Sequence, residues 1–174
     1  GSGPEWTTHV AKLNALIGQY DKAFRLYETA NETQGNSKEN SIEIGKIYIE
    51  TQQYQKAINL FHKTLGYWGN IDFETSQILS DLSLAYANLG ETEKSLEYAK
   101  LALDFISNVY YRTDGEEIES QALAWRSLGN AYLLNRQFTD AITHYEETLQ
   151  AFQKTGDRLR EAFALSDLGA AFLG

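Results

Sequence analysis

The residues that could carry chemistry in this chain of 174 residues are few and widely separated. The chain has no cysteine, and its three histidines are His9, His62 and His144. No two histidines have the i, i+4 spacing that places two zinc ligands on one helix face. No glycine-rich stretch has the spacing of a phosphate-binding loop, and no serine has a histidine in register to activate it. The sequence therefore predicts neither an enzyme nor a metal or cofactor site.

Charge narrows the class of partner. The chain carries 15 basic and 24 acidic residues, a formal net charge of −9. An acidic surface repels phosphate backbones, so a nucleic-acid partner is not expected, whereas basic peptides or basic protein patches are attracted. The alternative is that the charge only keeps a helical protein soluble. Two acidic clusters are interpreted as solvated helix surface or as a favourable first helical turn. They are Glu116, Glu117 and Glu119, and the pair Glu146 and Glu147.

The chain shows no sign of membrane insertion or secretion. No apolar run approaches the ~20 residues that a membrane-spanning helix needs, and no signal peptide is visible, so we expect a cytoplasmic protein. The sequence has no methionine, and residues 1–3 read as a cloning remnant. We therefore expect one folded domain over residues 4–174, within a longer native protein.

The strongest structural pattern lies in residues 125–145, WRSLGNAYLLNRQFTDAITHY. Its large apolar residues are Trp125, Leu128, Tyr132, Phe138 and Tyr145. The first three lie on one face of a helix, and Gly129 on that face allows a second helix to come close. Ala141 keeps the second helix thin at the crossing. The segment therefore predicts two antiparallel helices that pack face to face.

The same pattern recurs along the chain, with a small residue at each equivalent position. These small residues are Ala11, Gly45, Ser83, Gly129 and Gly169. Their separations are 34, 38, 46 and 40 residues. The W-x2-L-G-x2-Y spacing followed by Ala141 resembles the tetratricopeptide repeat family, in the long-repeat form found in kinesin light chains and many bacterial regulators.

This resemblance implies an all-α superhelix, a tetratricopeptide solenoid of about four and a half helix–turn–helix repeats. The repeats are expected at about 4–37, 38–75, 76–118 and 119–157, with a partial repeat at 158–174. The helices are predicted at 4–17, 20–32, 38–51, 54–66, 72–89, 92–112, 116–135, 138–154 and 158–173.

Three connections carry specific expectations. Gly156 is predicted to end one helix in the left-handed conformation, and Asp157 is predicted to cap the next. Tyr110–Glu117 is predicted to contain an Asp-Gly turn. Gly66–Phe73 is predicted to be a loop that holds Trp68 between glycines. Trp68 is either a secondary contact for a partner or a side chain that folds back and becomes buried.

The resemblance also implies where a partner binds, because the first helices of each pair line a concave groove in such repeats. The candidate groove residues are Lys12, Lys46, Asp81, Asn88, Arg126, Ser127, Asn130 and Asp167. Asn88 and Asn130 offer both a donor and an acceptor to a peptide backbone. Arg126, one turn before Asn130, can hold a carboxylate beside it. The alternative is that these asparagines are merely solvated.

Some members of the family clamp the terminal carboxylate of heat-shock chaperones, and this sequence departs from that pattern. Arg126 and Asn130 imitate the first basic–asparagine pair of the clamp. Asp167 stands where the next repeat requires asparagine, so the chaperone clamp is rejected for this chain.

The leading hypothesis is a scaffold that binds a peptide or protein segment in the groove. One alternative is self-association, for example as a homodimer, through the uncapped face of the last helix, which carries Leu165, Leu168 and Phe172. Another is a sensor or regulatory region of a larger multidomain protein.

Overall fold

The computed structural model describes residues 4–35, 37–68, 72–106 and 114–174. These ranges contain nine α-helices and no β-strand. The helices are α1 (Pro4–Leu16), α2 (Tyr20–Gln34), α3 (Lys38–Glu50), α4 (Tyr54–Trp68), α5 (Phe73–Asn88), α6 (Thr92–Ile106), α7 (Asp114–Leu134), α8 (Phe138–Thr155) and α9 (Arg158–Leu173). The chain forms two compact units, Gly1–Gly69 with α1 to α4 and Asn70–Gly174 with α5 to α9.

The predicted helix order is confirmed, but the bounds of two predicted connections are wrong, and residues 69–71 of the first connection lie outside the described residues. α4 continues through Trp68, so Gly66 lies inside a helix, because it keeps a helical φ and does not terminate the element. α7 begins at Asp114, so the predicted Asp-Gly turn lies in its first helical turn. An acidic segment is favourable at a helix N-terminus, which explains this early start. The rest of that predicted connection, residues 110–113, lies outside the described residues.

Each complete helix pair is closed by the same turn. A residue with positive φ stands seven positions after each of the first four small residues: Gly18 (φ 73°), Gln52 (φ 58°), Gly90 (φ 76°) and Arg136 (φ 58°). The next residue donates its N–H back to the first helix, as Gln53 does to the Tyr48 carbonyl at 2.7 Å and Gln137 to the Tyr132 carbonyl at 2.9 Å. This bond satisfies a carbonyl at the helix end. The recurrence confirms the repeat at the level of the backbone.

The small residues allow close contact between the paired helices, as predicted. A Cβ at Gly129 would lie 2.6 Å from Tyr145 Cε1 and 2.7 Å from Cδ1. In the first unit, a Cβ at Gly45 would overlap the ring of Phe61. Only glycine at these two positions leaves room for the aromatic ring of the second helix.

In the third pair, α5 and α6, two serines contact each other at the place where the second and fourth pairs have glycine against an aromatic ring. The Ser83 hydroxyl donates to the Ser95 carbonyl at 2.8 Å, and the two hydroxyl oxygens are 3.2 Å apart. Both side chains are fully buried, so this polar contact is satisfied within the helix interface.

Each unit has an apolar core of its own. In the first unit Ala11, Ala23, Tyr27, Ile44 and Ile47 form a buried cluster. In the second unit one cluster contains Ala122, Ala151, Phe152 and Ala164, and another contains Ala141, Tyr145 and Ala171. Each cluster combines alanines with one buried aromatic ring, Tyr27, Phe152 or Tyr145, and this combination gives close packing.

The junction between α8 and α9 is as predicted. Gly156 has φ 72° and ψ 15°, the left-handed conformation that ends α8. The Asp157 side chain accepts a hydrogen bond from the Arg160 backbone N–H at 3.0 Å and so caps α9. α9 therefore follows α8 directly. Like α5 and α7, it is the first helix of its repeat.

Candidate functional site

The first helices of the second unit lie side by side. The hydroxyl oxygens of Ser76 in α5 and Ser120 in α7 are 3.2 Å apart, and the Ser127 hydroxyl lies 3.3 Å from the Ser80 carbonyl. These small polar contacts hold α7 against α5. An ion pair described next joins α7 to α9, so the three helices present one continuous surface. We call the surface formed by α5, α7 and α9 the first-helix face.

Arg126 and Asp167 form the ion pair that joins α7 to α9. The Arg126 Nε donates to Asp167 Oδ2 at 2.5 Å, with side-chain exposures of 37% and 23%. A half-buried pair is less screened by solvent than a fully exposed one. The bond uses one of the five N–H donors of the guanidinium group. In the described part of the chain no protein group accepts from the Arg126 Nη nitrogens.

Asn130 is held by the second helix of its own repeat. The Tyr145 hydroxyl donates to Asn130 Oδ1 at 2.7 Å. Because the carbonyl oxygen accepts this bond, the side-chain amide nitrogen remains available as a donor. Asn130 lies one turn after Arg126 on α7, so both side chains are on the same face of the helix.

The charges of Asp167 and Arg126 both act on the Tyr145 hydroxyl. Burial raises the pKa of Tyr145, nearby Asp167 raises it further, and Arg126 acts in the opposite direction. The phenol is therefore neutral at physiological pH and remains a hydrogen-bond donor to Asn130. Arg126, Asn130, Tyr145 and Asp167 form one polar network, which we call the α7–α9 network.

The network holds two donor groups in place, the Asn130 amide and the Arg126 Nη nitrogens, and no acceptor for them is found in the described residues. A backbone carbonyl of a bound segment can accept from the Asn130 amide, and an acceptor side chain can reach the Arg126 Nη nitrogens. Donors already held in place lose less side-chain entropy when a ligand binds.

The other predicted residues on the first-helix face differ in how they are used. Ser127 is buried at 6% exposure and also donates to the Leu123 carbonyl at 2.9 Å, so it contributes to helix packing. Asn88 is exposed and donates to the Leu84 carbonyl of its own helix at 2.8 Å. Its carbonyl oxygen remains as an acceptor. Asp81 is half-buried on α5.

Two predicted groove residues belong to the first unit. Lys12 is exposed on α1. Lys46 pairs with Glu43 on its own helix, at 3.3 Å between Nζ and Oε1. The structure therefore brings Arg126, Asn130 and Asp167 together, and it describes the two lysines in a separate unit. The side chain of Trp68 lies outside the described residues.

A cavity of about 500 Å³ between α2, α3 and α4 was not predicted. Asn31 lines it and accepts a hydrogen bond from the buried Asn40 side chain at 2.9 Å. At the equivalent position α8 carries Leu149, which packs with Phe152 and other apolar residues. The first repeat has asparagine at a position where the fourth repeat has leucine. This difference was the sequence signal that could have indicated the cavity.

The histidines do not form a site in the described residues. His144 contacts Glu147 of its own helix at 2.7 Å and stacks on Tyr132 with ring centroids 5.6 Å apart. In the described residues, no group of three or more histidine, cysteine, aspartate or glutamate side chains is placed to hold a metal ion. Within the same residues, no helix has the length and hydropathy of a membrane span.

Comparison with known proteins places the chain among helical repeats. Tetratricopeptide repeat family models match residues 76–108 and 120–174, together about half of the chain. The chain is 22% identical over 165 residues to the 43 kDa receptor-associated protein of the synapse from Gallus gallus. That match covers 90% of this chain but 39% of the chicken protein, so the chain spans about two fifths of that relative.

Solved structures show the same fold. MamA 41-end from Desulfovibrio magneticus RS-1 is similar with a TM-score of 0.61 at 14% identity, over 99% of this chain and 94% of that chain. The putative kinesin light chain repeat structure from Podosopora anserina has a TM-score of 0.57 at 16% identity, over 98% and 97%. The TPR2AB-domain:pHSP90-complex of yeast Sti1 has a TM-score of 0.55 at 17% identity, over 97% and 76%.

Three observations indicate the same family. They are the matches to the family models, the recurring turn seven residues after each of the first four small residues, and the pairing of the helices. The predicted all-α fold class is confirmed, with two helix pairs in the first unit and two and a half in the second. The chain belongs to the tetratricopeptide repeat family.

Proposed function

We propose that the chain is a protein-interaction module that binds an extended polypeptide segment along the first-helix face of its second unit. The observation that carries the proposal is the α7–α9 network, in which Tyr145 orients Asn130 and Asp167 orients Arg126. Polar groups that only solvate a surface do not need a buried partner on another helix. Here Asn130 has a fully buried partner, Tyr145 of α8, and Arg126 has a half-buried partner, Asp167 of α9.

Recognition of the main chain follows from the asparagines. The Asn130 amide donates to a peptide carbonyl, and the free Asn88 oxygen accepts from a peptide N–H. Such contacts give affinity to many sequences, because every residue of an extended segment carries the same backbone groups. Side-chain preference must therefore come from charge and shape.

Charge favours a basic segment. The first-helix face carries the carboxylates of Asp81 and Asp167 against the guanidinium of Arg126, in a chain with a net charge of −9. One carboxylate is already paired with Arg126. The net negative charge of the chain attracts a segment rich in lysine or arginine, and this long-range attraction speeds the encounter.

Two of the similar proteins are consistent with this class of function. The yeast Sti1 structure is a complex of a TPR2AB domain with pHSP90, and the chicken protein is a receptor-associated protein of the synapse. At these identities they support protein interaction as a class and leave the partner of this chain open.

A selection experiment tests the proposal. Peptides displayed on phage are selected on the whole chain, and a selected peptide is labelled and titrated by fluorescence anisotropy. We expect Asn130→Ala to weaken binding by about fivefold, the equivalent of one lost hydrogen bond. The control is Asn59→Ala, since Asn59 is an exposed asparagine on α4 of the first unit.

Tyr145→Phe separates binding from folding. This variant loses the hydrogen bond to Asn130 but keeps the amide donor, so its affinity should lie between those of the wild type and Asn130→Ala. If Asn130→Ala and Asn59→Ala bind the peptide as tightly as the wild type, the first-helix face is not the binding surface.

A further inference from the structure

The cavity between α2, α3 and α4 lies where the repeat pattern omits a large side chain. The position four residues before the small residue of the first helix holds Leu79, Trp125 and Leu165 in the last three repeats. In the second repeat this position holds Ser41, four residues before Gly45. Ser41 is buried and lines the cavity. A short hydroxyl side chain therefore stands where the later repeats have a large apolar one.

The fourth repeat shows which group fills the equivalent space. Trp125 packs against a cluster that contains Ala151 and Phe152 of α8. Counted from the glycine of each repeat, Ala151 corresponds to Tyr67 of α4, which lines the cavity. Tyr67 is 81% exposed, so its ring does not replace the indole. The volume of about 500 Å³ lies within the range of small-molecule sites, about 300–1,000 Å³.

The walls of the cavity combine apolar and polar groups. Ile44 and Leu60 supply apolar surface, and Ser41 and Thr64 supply hydroxyl groups. Both hydroxyls donate within their own helices, Ser41 to the Ser37 carbonyl at 2.9 Å and Thr64 to the Leu60 carbonyl at 2.9 Å. Their oxygens keep lone pairs that can accept from an N–H or O–H group of a ligand. Apolar surface with a few fixed polar groups is typical of a small-molecule site.

The mouth of the cavity carries a cation. Lys63 lines the cavity and is exposed, and no carboxylate of the described residues pairs with it, whereas Lys46 and Lys94 pair with glutamates of their own helices. Asn31 also lines the cavity and accepts from Asn40 through its side-chain oxygen. Its amide nitrogen has no acceptor in the same part of the chain. Two donors, one of them positively charged, favour an anionic group on the ligand.

We propose that this cavity binds a small planar aromatic acid. Its ring occupies the space that corresponds to the Trp125 indole of the fourth repeat, and its carboxylate pairs with Lys63. The site belongs to the first unit and uses no residue of the first-helix face, so it goes beyond the proposed peptide binding. A cavity that holds only water is the alternative, because polar cavities of this size are hydrated.

Three probes that share one ring system separate these two cases. Indole-3-acetate carries a carboxylate, indole carries no charge, and tryptamine carries an ammonium group. Each is titrated into the whole chain by isothermal titration calorimetry. We expect indole-3-acetate to bind at least about threefold more tightly than indole, and tryptamine to bind more weakly than indole, because Lys63 attracts the carboxylate and repels the ammonium. Failure of indole-3-acetate to bind, or binding no tighter than that of indole, overturns the proposal.

Two variants locate the site. Ser41→Trp gives the second repeat the residue that the fourth repeat has at this position, and after thermal unfolding has shown that it is folded, we expect no detectable binding of indole-3-acetate. Lys63→Gln changes an exposed residue, and we expect it to remove the preference for indole-3-acetate over indole. Its control is Lys22→Gln, an exposed lysine of α2 that does not line the cavity.

The variants also keep this site separate from the proposed peptide site. Asn130→Ala should bind indole-3-acetate as the wild type does, since Asn130 belongs to the second unit. If folded Ser41→Trp still binds indole-3-acetate as tightly as the wild type, or if Lys63→Gln behaves like Lys22→Gln, the acid does not bind in the cavity and the proposal is overturned.

Discussion

Replacing Gly129 and Gly169 by alanine should change stability in opposite directions. Both residues lie inside helices of the second unit, so alanine gains about 1 kcal/mol of helix propensity at either position. At Gly169 the new Cβ has no neighbour within 4 Å, so the free energy of unfolding should rise by about that amount.

At Gly129 the same substitution meets the Tyr145 ring. The new Cβ would lie 2.6 Å from Cε1, 2.7 Å from Cδ1 and 3.0 Å from Cζ, so the ring or the helix must shift. Overpacking of this kind costs about 1–3 kcal/mol, which equals or exceeds the gain in propensity. The two variants should therefore differ in the free energy of unfolding by about 1–3 kcal/mol.

Urea denaturation followed by tryptophan fluorescence measures the difference. The chain has three tryptophans, and Trp125 is the one in the second unit. A background with Trp6→Phe and Trp68→Phe therefore makes the signal specific to that unit. If Gly129→Ala is stabilised as much as Gly169→Ala, the close helix contact is not what requires glycine, and our account of the repeat fails.

Four further predictions follow from individual contacts. Tyr145→Phe should lower the free energy of unfolding by about 1 kcal/mol, because it removes the hydrogen bond to Asn130. Tyr27→Phe should be neutral or stabilising, because the buried Tyr27 hydroxyl makes no hydrogen bond in the described part of the chain. Equal losses for the two variants in urea denaturation would contradict this. Asp157→Ala should cost about 1 kcal/mol in the same assay by removing the cap of α9, and an unchanged value would refute the cap. A double-mutant cycle on Arg126 and Asp167 should give a coupling of about 1 kcal/mol that decreases with added salt, and zero coupling at low salt would contradict the pairing. Burial raises the pKa of both tyrosines, so stability should be complete below the ordinary value of about 10 and fall as the pH rises above it; phenolate absorbance from these two residues should appear only on unfolding, and its appearance in the folded chain would contradict their burial.

The sequence was sufficient for the fold because packing requirements leave a visible pattern. Gly45 and Gly129 had to be small to admit Phe61 and Tyr145, and small residues recur at the equivalent positions of the other repeats. Helix ends were predicted well where a cap residue marks them, as at Asp157. They were predicted poorly at Gly66, since a glycine can remain inside a helix when its neighbours favour one.

The candidate site was only partly visible in the sequence. Arg126, Asn130 and Asp167 were selected as groove residues, but their pairings were not predicted. Asp167 is 41 residues from Arg126, and Tyr145 had already been assigned a packing role by its spacing. Contacts of this kind depend on how two helices are placed against each other, which side-chain periodicity on one helix does not reveal.

The most direct test of the proposed function is to observe the side-chain amide of Asn130 by NMR while a selected peptide is added. Our account predicts that this NH2 resonance shifts and that backbone shifts concentrate in α5, α7 and α9. An Asn130 side-chain signal that stays unchanged at saturation, with the shifts confined to α6 and α8 or to the first unit, would contradict the account.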